Sequence, residues 1–348
     1  MVAWVSTEPS VEDVGWLQLD EATGVGAVRR RTEQLADRLG MPGSRVAEVG
    51  LAVTEIATNI HAHAGSGAVL LRLVRAGDAG AVEIVAVDAG PGIQNVHAAR
   101  QDGYSTAGTL GIGLGAANRL ANTLDISSVR GRGTVVVARF AANRSGAAAM
   151  DTRSADTAGI TRALSGEAVC GDGYATRRDG DRTSLMVCDG SGHGPLAASA
   201  TQQAIRTFND PNQPMSPPET AVRRIHQALV GTRGAAVAVA ELDAKAQLVR
   251  FVSVGNITGA ILSSSSKRSM ISIGGVAGYR QPTIRAFEYP LPPESVVILH
   301  SDGVSSRWGG EVLQGLLSQS PLVIAATLLR DAGIHHDDAC VLVGRRAR

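Results

Sequence analysis

The sequence predicts a two-domain α/β protein, and three features of the chain favour that fold class. Its 348 residues correspond to two domains, at roughly 150 residues per domain. A stretch of small, polar and charged residues at 141–159 is typical of a linker. Short β-branched runs alternate with helical patterns on both sides of it, which predicts sheets packed against helices. We therefore expect domains at 1–141 and 157–348, joined by a linker at 142–156.

The composition excludes several classes of function. The net charge is +1 and no Lys/Arg-rich tract occurs, so we expect neither nucleic acid nor a membrane as a partner. Aromatic residues make up 3% of the chain, which disfavours a platform for base stacking. No secretory signal is visible, and no stretch reaches the ~18 apolar residues of a spanning helix. Cys170, Cys188 and Cys340 lack CxxC spacing, which is typical of buried thiols in a cytoplasmic protein.

The order of strands and helices follows from hydrophobic patterns. Short β-branched runs bounded by glycine predict strands at VEIVAVDAG, GTVVVARF, SLMVCDG, AAVAVAEL, LVRFVSVG, SVVILHSDG and ACVLVG. Helical patterns occur at about 195–208, 218–230 and 310–331. The segment 208–220 holds four prolines and is predicted to be a loop between two helices.

The segment SRVAEVGLAVTEIATNIHAHAG predicts an amphipathic helix, with Ser44 as N-cap and Gly65 as the stop. Its buried stripe is predicted to consist of Val46, Val49, Val53, Ile56 and Ile60.

Glu55 and Asn59 lie four residues apart in this segment and therefore share one helix face. A carboxylate and an amide placed in this way are able to reach a common metal–phosphate site. A solvated polar face is the alternative for such a pair.

Two glycine-containing motifs follow this helix. Asp88 ends a predicted strand and is followed by Gly90 and Gly92, an arrangement in which a carboxylate accepts from an exocyclic amine while the backbone approaches a ligand closely. Further along, three glycines precede a helix predicted to start near Ala116, whose amides and dipole suit anionic phosphates. These three are Gly111, Gly113 and Gly115. The pattern is neither a Rossmann fingerprint nor a Walker P-loop.

These motifs, followed by Gly131-Arg132-Gly133-Thr134, resemble the N, G1 and G2 boxes of the GHKL (Bergerat-fold) ATPases over about residues 10–140. Within that superfamily they most resemble RsbT- and RsbW-type anti-sigma-factor serine kinases. The resemblance implies an α/β sandwich with a mixed sheet that binds ATP and Mg²⁺. It implies that Asn59 holds Mg²⁺, that Asp88 reads adenine, that Thr134 supports the adenine pocket and that Glu55 is the base orienting an acceptor serine.

Four aspartates in the C-terminal half lie next to glycine or at the edges of predicted strands. They are Asp172, Asp189, Asp302 and Asp338. Aspartate is disfavoured within strands, so this placement predicts convergence at one end of a sandwich. Hard oxygen ligands suit Mg²⁺ or Mn²⁺, and two such ions about 4 Å apart activate water and clamp a phosphoryl group. Ordinary Asp-Gly turns are the alternative.

As a set, GEAVCGDGY, CDGSGHGPLAA, FVSVGNITGAIL, LHSDGV and DDACVLV resemble the PPM-type phosphatases of the SpoIIE/RsbX branch, over about residues 157–345. The resemblance implies an α/β-β/α sandwich of two antiparallel sheets flanked by helices, with two Mn²⁺ or Mg²⁺ ions. Asp172, Asp189, Asp302, Asp338 and the carbonyl of Gly190 are the implied ligands. Two points stay open, namely whether Asp337 replaces Asp338 and whether His193 approaches the substrate phosphate.

Together the two resemblances imply a bifunctional regulator that phosphorylates and dephosphorylates serine or threonine on STAS-domain proteins, of the anti-anti-sigma or stressosome type. A sigma factor or a downstream switch protein is a further expected partner. The alternative for the N-terminal half is a nucleotide-gated anti-sigma binding module that transfers no phosphate.

Overall fold

The computed structural model describes residues 10–100, 113–142, 156–280, 282–309 and 315–346. These residues form two compact units, the first within residues up to 142 and the second from Asp156 onwards. The predicted linker, 142–156, lies almost entirely outside the described residues. No helix in these ranges is both long enough and apolar enough to cross a membrane.

The N-terminal unit is one sheet with helices packed on one of its faces. Its elements in chain order are β1 (Ser10–Gln18), α1 (Ala22–Arg38), α2 (Gly43–Asn59), a π-helical turn (Ile60–Ala64), β2 (Gly67–Ala76), β3 (Ala79–Asp88), α3 (Val96–Ala99), α4 (Gly113–Leu120), β4 (Thr123–Val129) and β5 (Gly133–Ala141). The strand order is β1-β2-β3-β5-β4.

Every neighbouring pair among these five strands is antiparallel, so the expectation of a mixed sheet is wrong for the described residues. Short connections explain the difference. Gly77 and Asp78 alone join β2 to β3, and residues 130–132 join β4 to β5. Connections this short form hairpins, whereas a parallel pair needs a long crossover.

The core of this unit lies between α2 and the sheet. Val49, Val53, Ile56 and Ile60 are buried there, while Val46 is partly buried against the same cluster. The predicted stripe therefore faces the sheet. Full burial of one such aliphatic side chain contributes about 1.5–3 kcal/mol, so the stripe is enough to fix the helix on the sheet.

The ends of this helical segment differ in how well the sequence predicts them. The helix begins at Gly43, with Pro42 as N-cap and no capping side chain, so Ser44 as N-cap is wrong. The extended backbone of Pro42 already turns the chain into the helix, which places Ser44 inside the first turn. Gly65, with φ of 77°, follows the π-helical turn and ends the segment as predicted.

The C-terminal unit has two five-stranded antiparallel sheets. Its elements are β6 (Thr157–Arg162), β7 (Asp172–Asp179), β8 (Arg182–Gly190), α5 (Pro195–Phe208), α6 (Pro218–Ala228), β9 (Ala235–Asp243), β10 (Leu248–Val254), β11 (Thr258–Leu262), β12 (Lys267–Met270), β13 (Phe287–Pro290), β14 (Val296–His300), α7 (Pro321–Ala332) and β15 (Ala339–Arg345). The strand orders are β13-β10-β9-β8-β7 and β12-β11-β14-β15-β6.

One apolar cluster fills the space between the two sheets, with Leu185 and Val187 from one sheet against Leu299 and Leu342 from the other. A second cluster lies between α5, α6 and the outer face of the first sheet. On the other side, α7 packs against β15 and β6. The predicted α/β-β/α sandwich is confirmed.

Two of the three helices predicted for this unit are confirmed, and the third differs in its bounds. Both α5 and α6 lie where the pattern places them, with the proline-rich loop between them. Of the helix predicted at about 310–331, residues 310–314 lie outside the described residues, 315–318 form turns and a helix runs from Pro321 to Ala332. Proline is favoured in the first turn of a helix and disfavoured in its interior, so it marks the start.

Candidate functional sites

In the N-terminal unit, Asp88 ends β3 and connects two loops. Its Oδ1 accepts the backbone N–H of Gly90 at 2.9 Å and that of Thr134 at 3.2 Å. The first donor follows Asp88 in the chain, and the second is the second residue of the facing strand β5. The carboxylate is therefore held by backbone groups from both sides, which fixes the direction in which its remaining lone pairs point.

The glycines after Asp88 are required by the packing of the protein itself. A Cβ on Gly90 would lie 2.5 Å from the Cβ of Ala64, at the end of the π-helical turn. A Cβ on Gly92, whose φ is 75°, would lie 2.6 Å from the carbonyl oxygen of Val129. The structure thereby brings the end of the Asn59 segment against the Asp88 loop.

Thr134 belongs to a small hydroxyl network beside Asp88. Its Oγ1 lies 3.0 Å from the Oγ of Ser128, its cross-strand neighbour in the β4–β5 pair. The Ser128 hydroxyl also accepts the N–H of Ile93 at 2.7 Å. Sequence reasoning missed Ser128, and only the strand register would have found it.

Glu55 and Asn59 lie in the last turns of α2, and both are half-buried. Burial raises the pKa of the Glu55 carboxyl above its usual value. The Nδ2 of Asn59 is buried without a hydrogen-bond partner. An amide left in this way is available to a ligand, and its oxygen and nitrogen ends exchange by rotation of the side chain.

The described chain resumes in helical conformation at Gly113, the first residue of α4, while Gly111 lies outside the described residues. A helix start near Ala116 is therefore wrong. Gly113 and the buried Gly115 both lie within this helix. The amides expected for phosphate binding therefore remain a prediction, because the residues before Gly113 lie outside the described ranges.

In the C-terminal unit, Asp172 begins β7 and Asp189 precedes the last residue of β8. The two are directly opposite each other in the antiparallel register. Asp172 is 6% exposed and Asp189 is half-buried. Two carboxylates thus face each other at one end of the sheet.

The electrostatics of this pair are those of like charges brought close together. Burial, and next the charge of Asp189, raise the pKa of Asp172 well above its usual value. Burial, followed by the charges of Asp302 and Asp337, raises the pKa of Asp189 to about 7. The Oδ2 of Asp172 is buried without a hydrogen-bond partner. These carboxylates therefore lack a compensating cation.

Asp302 lies two residues beyond β14 and is exposed. Its Oδ2 accepts the side-chain amide of Asn256 at 2.7 Å. Its charge raises the pKa of both Asp189 and Asp337, in each case after burial, so it belongs to the same cluster.

Asp337 and Asp338 occupy different environments. Asp338 is 2% exposed, and its two oxygens accept the backbone N–H groups of Leu164 at 2.7 Å and Gly171 at 2.9 Å. Asp337 is half-buried and has its pKa raised by burial and then by the charge of Asp302. Asp338 thus fixes the loop before β7, while Asp337 stands among the other carboxylates.

Gly190 and His193 lie in the turn after β8. A Cβ on Gly190 would collide with the carbonyl oxygen of Ala197, so this glycine fits beneath the first turn of α5. His193 is exposed, and its Nδ1 lies 2.6 Å from Oε1 of Glu167. Cys188 is fully buried, and burial raises its pKa to about 12, which makes it an unreactive core thiol.

Residues 19–140 match the family described as "Histidine kinase-like ATPase domain". The chain is 35% identical to the serine/threonine-protein kinase RsbT of Bacillus subtilis (strain 168) over 112 residues, which cover 32% of this chain and 84% of the relative. The chain belongs to the histidine kinase-like ATPase family.

The second unit of this ATPase-family protein has relatives of its own. Residues 179–347 match the family "Stage II sporulation protein E (SpoIIE)". The phosphoserine phosphatase RsbX of Bacillus subtilis (strain 168) is 27% identical over 142 residues, covering 40% of this chain and 70% of the relative. The chain therefore joins a kinase-like ATPase domain to a SpoIIE-type phosphatase domain.

A solved structure is similar as well. It is described as "The bacterial stressosome: a modular system that has been adapted to control secondary messenger signaling". The match has a TM-score of 0.50 and 29% identity, and it covers 55% of this chain and 98% of the other.

The phosphatase domain's carboxylates fit a divalent cation by their chemistry. Among the described residues, no group of three or more His, Cys, Asp or Glu side chains converges closely enough to hold a metal ion by itself. Mg²⁺ does not require such a group, because it keeps several waters and takes only one or two carboxylates. The facing pair Asp172 and Asp189, with one buried oxygen lacking a partner, supplies such ligands.

Ser301 is a further residue of this cluster that sequence reasoning missed. It is fully buried, its hydroxyl accepts the N–H of Cys340 at 2.9 Å and it hydrogen-bonds the Asp172 carboxylate. Ser301 therefore joins β14, β15 and β7 at the cluster. Its position immediately before Asp302 was the only signal in the sequence.

Proposed function

We propose that the chain is a cytoplasmic partner-switching regulator that phosphorylates and dephosphorylates serine or threonine on STAS-domain proteins. The observation that carries the phosphatase half is the facing pair Asp172 and Asp189, surrounded by further uncompensated carboxylates. Similarity to one relative named as a kinase and to another named as a phosphoserine phosphatase supports two opposed activities.

In the phosphatase domain, Mn²⁺ or Mg²⁺ would be held by Asp172, Asp189, Asp302 and the carbonyl of Gly190. Such ions, when bound, supply an activated water and neutralise charge on the phosphoryl oxygens. Ser301 orients the Asp172 carboxylate and Asn256 orients that of Asp302. Such hydrogen bonds from neighbouring side chains restrict the orientation of a metal-binding carboxylate.

We assign Asp337 to this ligand set as well, and Asp338 to support of the loop before β7. Both Asp338 oxygens already accept backbone N–H groups, so ligation would compete with those two hydrogen bonds. Asp337 accepts only the N–H of Asp338 among the described residues, at 2.9 Å from its Oδ1. Its other oxygen remains available to a cation.

In the kinase-like domain, Asp88 would accept from the exocyclic amine of adenine, with Thr134 and Ser128 holding the rim of that pocket. Asn59 would bind Mg²⁺, and the amides at the start of α4 would bind phosphate oxygens. Glu55 would accept a hydrogen bond from the hydroxyl of the acceptor serine. Its raised pKa suits this role, because a base works best when its pKa lies nearer the working pH.

The phosphatase half is tested with the full-length protein, Mn²⁺ and a phosphoserine-bearing STAS protein. Asp189→Ala should abolish Mn²⁺-dependent phosphate release, because it removes one of the two facing carboxylates, while ATP binding stays intact. Asp179→Ala, at the opposite end of the β7–β8 hairpin, is the matched control and should retain full activity. Undiminished release by Asp189→Ala would refute the ligand assignment.

The kinase half is tested by incubating the same protein with ATP, Mg²⁺ and an unphosphorylated STAS protein, followed by detection of phosphoserine. Glu55→Ala should remove transfer while ATP and partner binding persist, and Glu48→Ala, near the opposite end of α2, should behave as wild type. If wild-type protein binds its partner in an ATP-dependent way but never transfers phosphate, the domain is a nucleotide-gated binding module instead.

A further inference from the structure

A tight turn between α6 and β9 holds Arg233 in a fixed position. Gly231 and Gly234 have φ of 86° and 74°, values that favour glycine. Between them, Thr232 donates its hydroxyl to the carbonyl of Leu229 at 2.7 Å and accepts the N–H of Gly234 at 3.0 Å. Hydrogen bonds of Thr232 therefore fix the backbone both before and after Arg233.

This turn packs against the loop that follows Asp189. The N–H of Ser191 donates to the carbonyl of Gly234 at 3.1 Å. Nη1 of Arg233 lies 3.1 Å from the position that a Cβ on Gly192 would occupy. The guanidinium therefore rests on a loop that starts at a proposed metal ligand, and a side chain at position 192 would disturb it.

The same loop borders the carboxylate cluster on its other side. The carbonyl oxygen of Gly192 lies 3.4 Å from where a Cβ on Gly171 would be, and a Cβ there would also come within 2.7 Å of an Asp338 oxygen. Asp172 is the next residue in the chain. The backbone at Gly192 therefore lies between the guanidinium of Arg233 and the residues Gly171 and Asp338 at the cluster.

Arg233 is exposed, and it forms no hydrogen bond or ion pair with any residue that the structure describes. The closed turn fixes the backbone of Arg233 beside the loop that follows Asp189. All five N–H donors of Arg233 remain available.

The opposite flank of the loop carries a carboxylate instead of an unpaired cation. There His193 contacts Glu167 at 2.6 Å, and a Cβ on Gly194 would lie 3.1 Å from the same carboxylate's other oxygen. A carboxylate at this position repels a phosphate. On the Arg233 flank, by contrast, the guanidinium has no hydrogen-bond or ion-pair partner among the described residues.

We propose that Arg233 binds the phosphoryl group of the phosphatase domain's substrate, with its guanidinium fork on the phosphoryl oxygens that face away from the carboxylate cluster. This proposal rests on the phosphatase activity proposed above. A phosphate monoester is a dianion and is repelled by a cluster of carboxylates. A guanidinium at the rim offsets that repulsion and matches the spacing of two phosphoryl oxygens, which a lysine does not.

The test compares Arg233→Ala and Arg233→Lys with wild-type full-length protein loaded with Mn²⁺. Arg268→Ala is the matched control, since Arg268 is exposed on β12 and has no side-chain partner among the described residues. With a phosphoserine protein and with p-nitrophenyl phosphate, Arg233→Ala should raise KM about tenfold, the loss expected for a charge-assisted hydrogen bond. The kcat should change little, because the contact is made in both ground and transition states.

Two further measurements separate phosphate binding from support of the metal site. The dissociation constant of inorganic phosphate for the Mn²⁺-loaded protein, measured by calorimetry, should rise by a similar factor in Arg233→Ala. It should rise less in Arg233→Lys and remain unchanged in Arg268→Ala. The affinity for Mn²⁺, measured in the same way, should be equal in all four proteins.

An unchanged phosphate dissociation constant in Arg233→Ala would overturn the proposal, and so would an equal loss of Mn²⁺ affinity. A failure of the phosphatase activity is recognised separately. Wild-type protein that binds phosphate but releases none from any substrate would refute that activity, while the calorimetric comparison would still decide the role of Arg233.

Discussion

Two clusters of buried charged side chains, one in each unit, differ in how their charges are balanced. In the N-terminal sheet, Asp13, Arg72, Glu83 and Arg139 form a line of cross-strand neighbours through β1, β2, β3 and β5. Arg72 donates to Asp13 at 2.6 Å and to Glu83 at 3.0 Å, and Arg139 donates to Glu83 at 2.9 Å. Carboxylates and guanidiniums alternate along this line.

The cluster in the C-terminal unit holds carboxylates only. Its members are Asp172, Asp189, Asp302, Asp337 and Asp338. Within the described part of the chain, none of them pairs with lysine or arginine. Removing one partner from a buried network of paired charges leaves an uncompensated charge and destabilises the fold, whereas a buried cluster of one sign is itself destabilising until a ligand of opposite charge binds. The N-terminal network is therefore structural, whereas the C-terminal cluster is a candidate site for a cation.

The largest loss of stability is expected for a substitution in the balanced network of the N-terminal sheet. Glu83→Gln should lower the free energy of unfolding of the N-terminal unit by about 3–5 kcal/mol, because it leaves two buried guanidiniums without their shared carboxylate. Hydrogen exchange of peptides from β2, β3 and β5 measures this change. The exposed pair Arg45–Glu48 supplies the control, since Glu48→Gln should change stability by less than about 1 kcal/mol. Equal effects of the two substitutions would remove the distinction between the network and a surface pair.

The neighbouring carboxylates Asp337 and Asp338 are expected to have different roles within the cluster. Asp338→Asn should lower stability by about 1–3 kcal/mol, because an amide accepts only one of its two backbone N–H hydrogen bonds. Asp337→Asn should leave stability intact but weaken Mn²⁺ binding and phosphate release. Thermal unfolding and calorimetry of both variants check this. The opposite pattern would make Asp338 the ligand, as the sequence resemblance implied.

A substitution that removes one charge from the carboxylate cluster is expected to stabilise the metal-free protein. In EDTA at pH 8, Asp172→Asn should raise the midpoint of unfolding of the C-terminal unit by at least ~2 °C, which corresponds to about 1 kcal/mol in a domain of this size. The substitution removes a buried charge that repels Asp189. The same variant should lose Mn²⁺-induced stabilisation. A lower midpoint would indicate that the aspartate is compensated within the protein.

A pH dependence of stability is expected for the metal-free protein. The folded pKa of Asp189 is raised to about 7 from an ordinary value of 3.8, so the folded state binds this proton more tightly than the unfolded state. Its contribution to stability is therefore fully present below pH 3.8 and is lost as the pH rises to about 7. Urea unfolding in EDTA should show higher stability at pH 5.5 than at pH 7.5, with a smaller difference in Asp189→Asn. A pH-independent difference between the two proteins would contradict this linkage.

The sequence predicts the fold and the facing aspartates because both depend on local patterns. Asp172 and Asp189 lie at the ends of clear strand patterns beside glycine, so their placement at one sheet edge follows from chain order. The buried line through Arg72 and Glu83 could not be predicted in this way. Charged residues within strands normally indicate a solvated face, and only the register of the strands brings these side chains together.

The same limit applies to Arg233 and to the choice between Asp337 and Asp338. The tight turn holding Arg233 is visible as glycines around a threonine, but its contact with Gly192 depends on how two distant loops pack. Adjacent aspartates are equivalent in a sequence, and only their hydrogen-bond partners distinguish them.

The hairpin that carries Asp172 and Asp189 links the spacing of these two carboxylates to a distant turn. Its register runs without a break from the Asp172–Asp189 pair to Asp179 and Arg182, where Gly180, with φ of 57°, and Asp181 form a two-residue turn. A slip of the register by one residue would turn every side chain of one strand to the other face of the sheet and separate the two aspartates. The geometry of the carboxylate pair therefore depends on a turn at the opposite end of the hairpin, where the register is set.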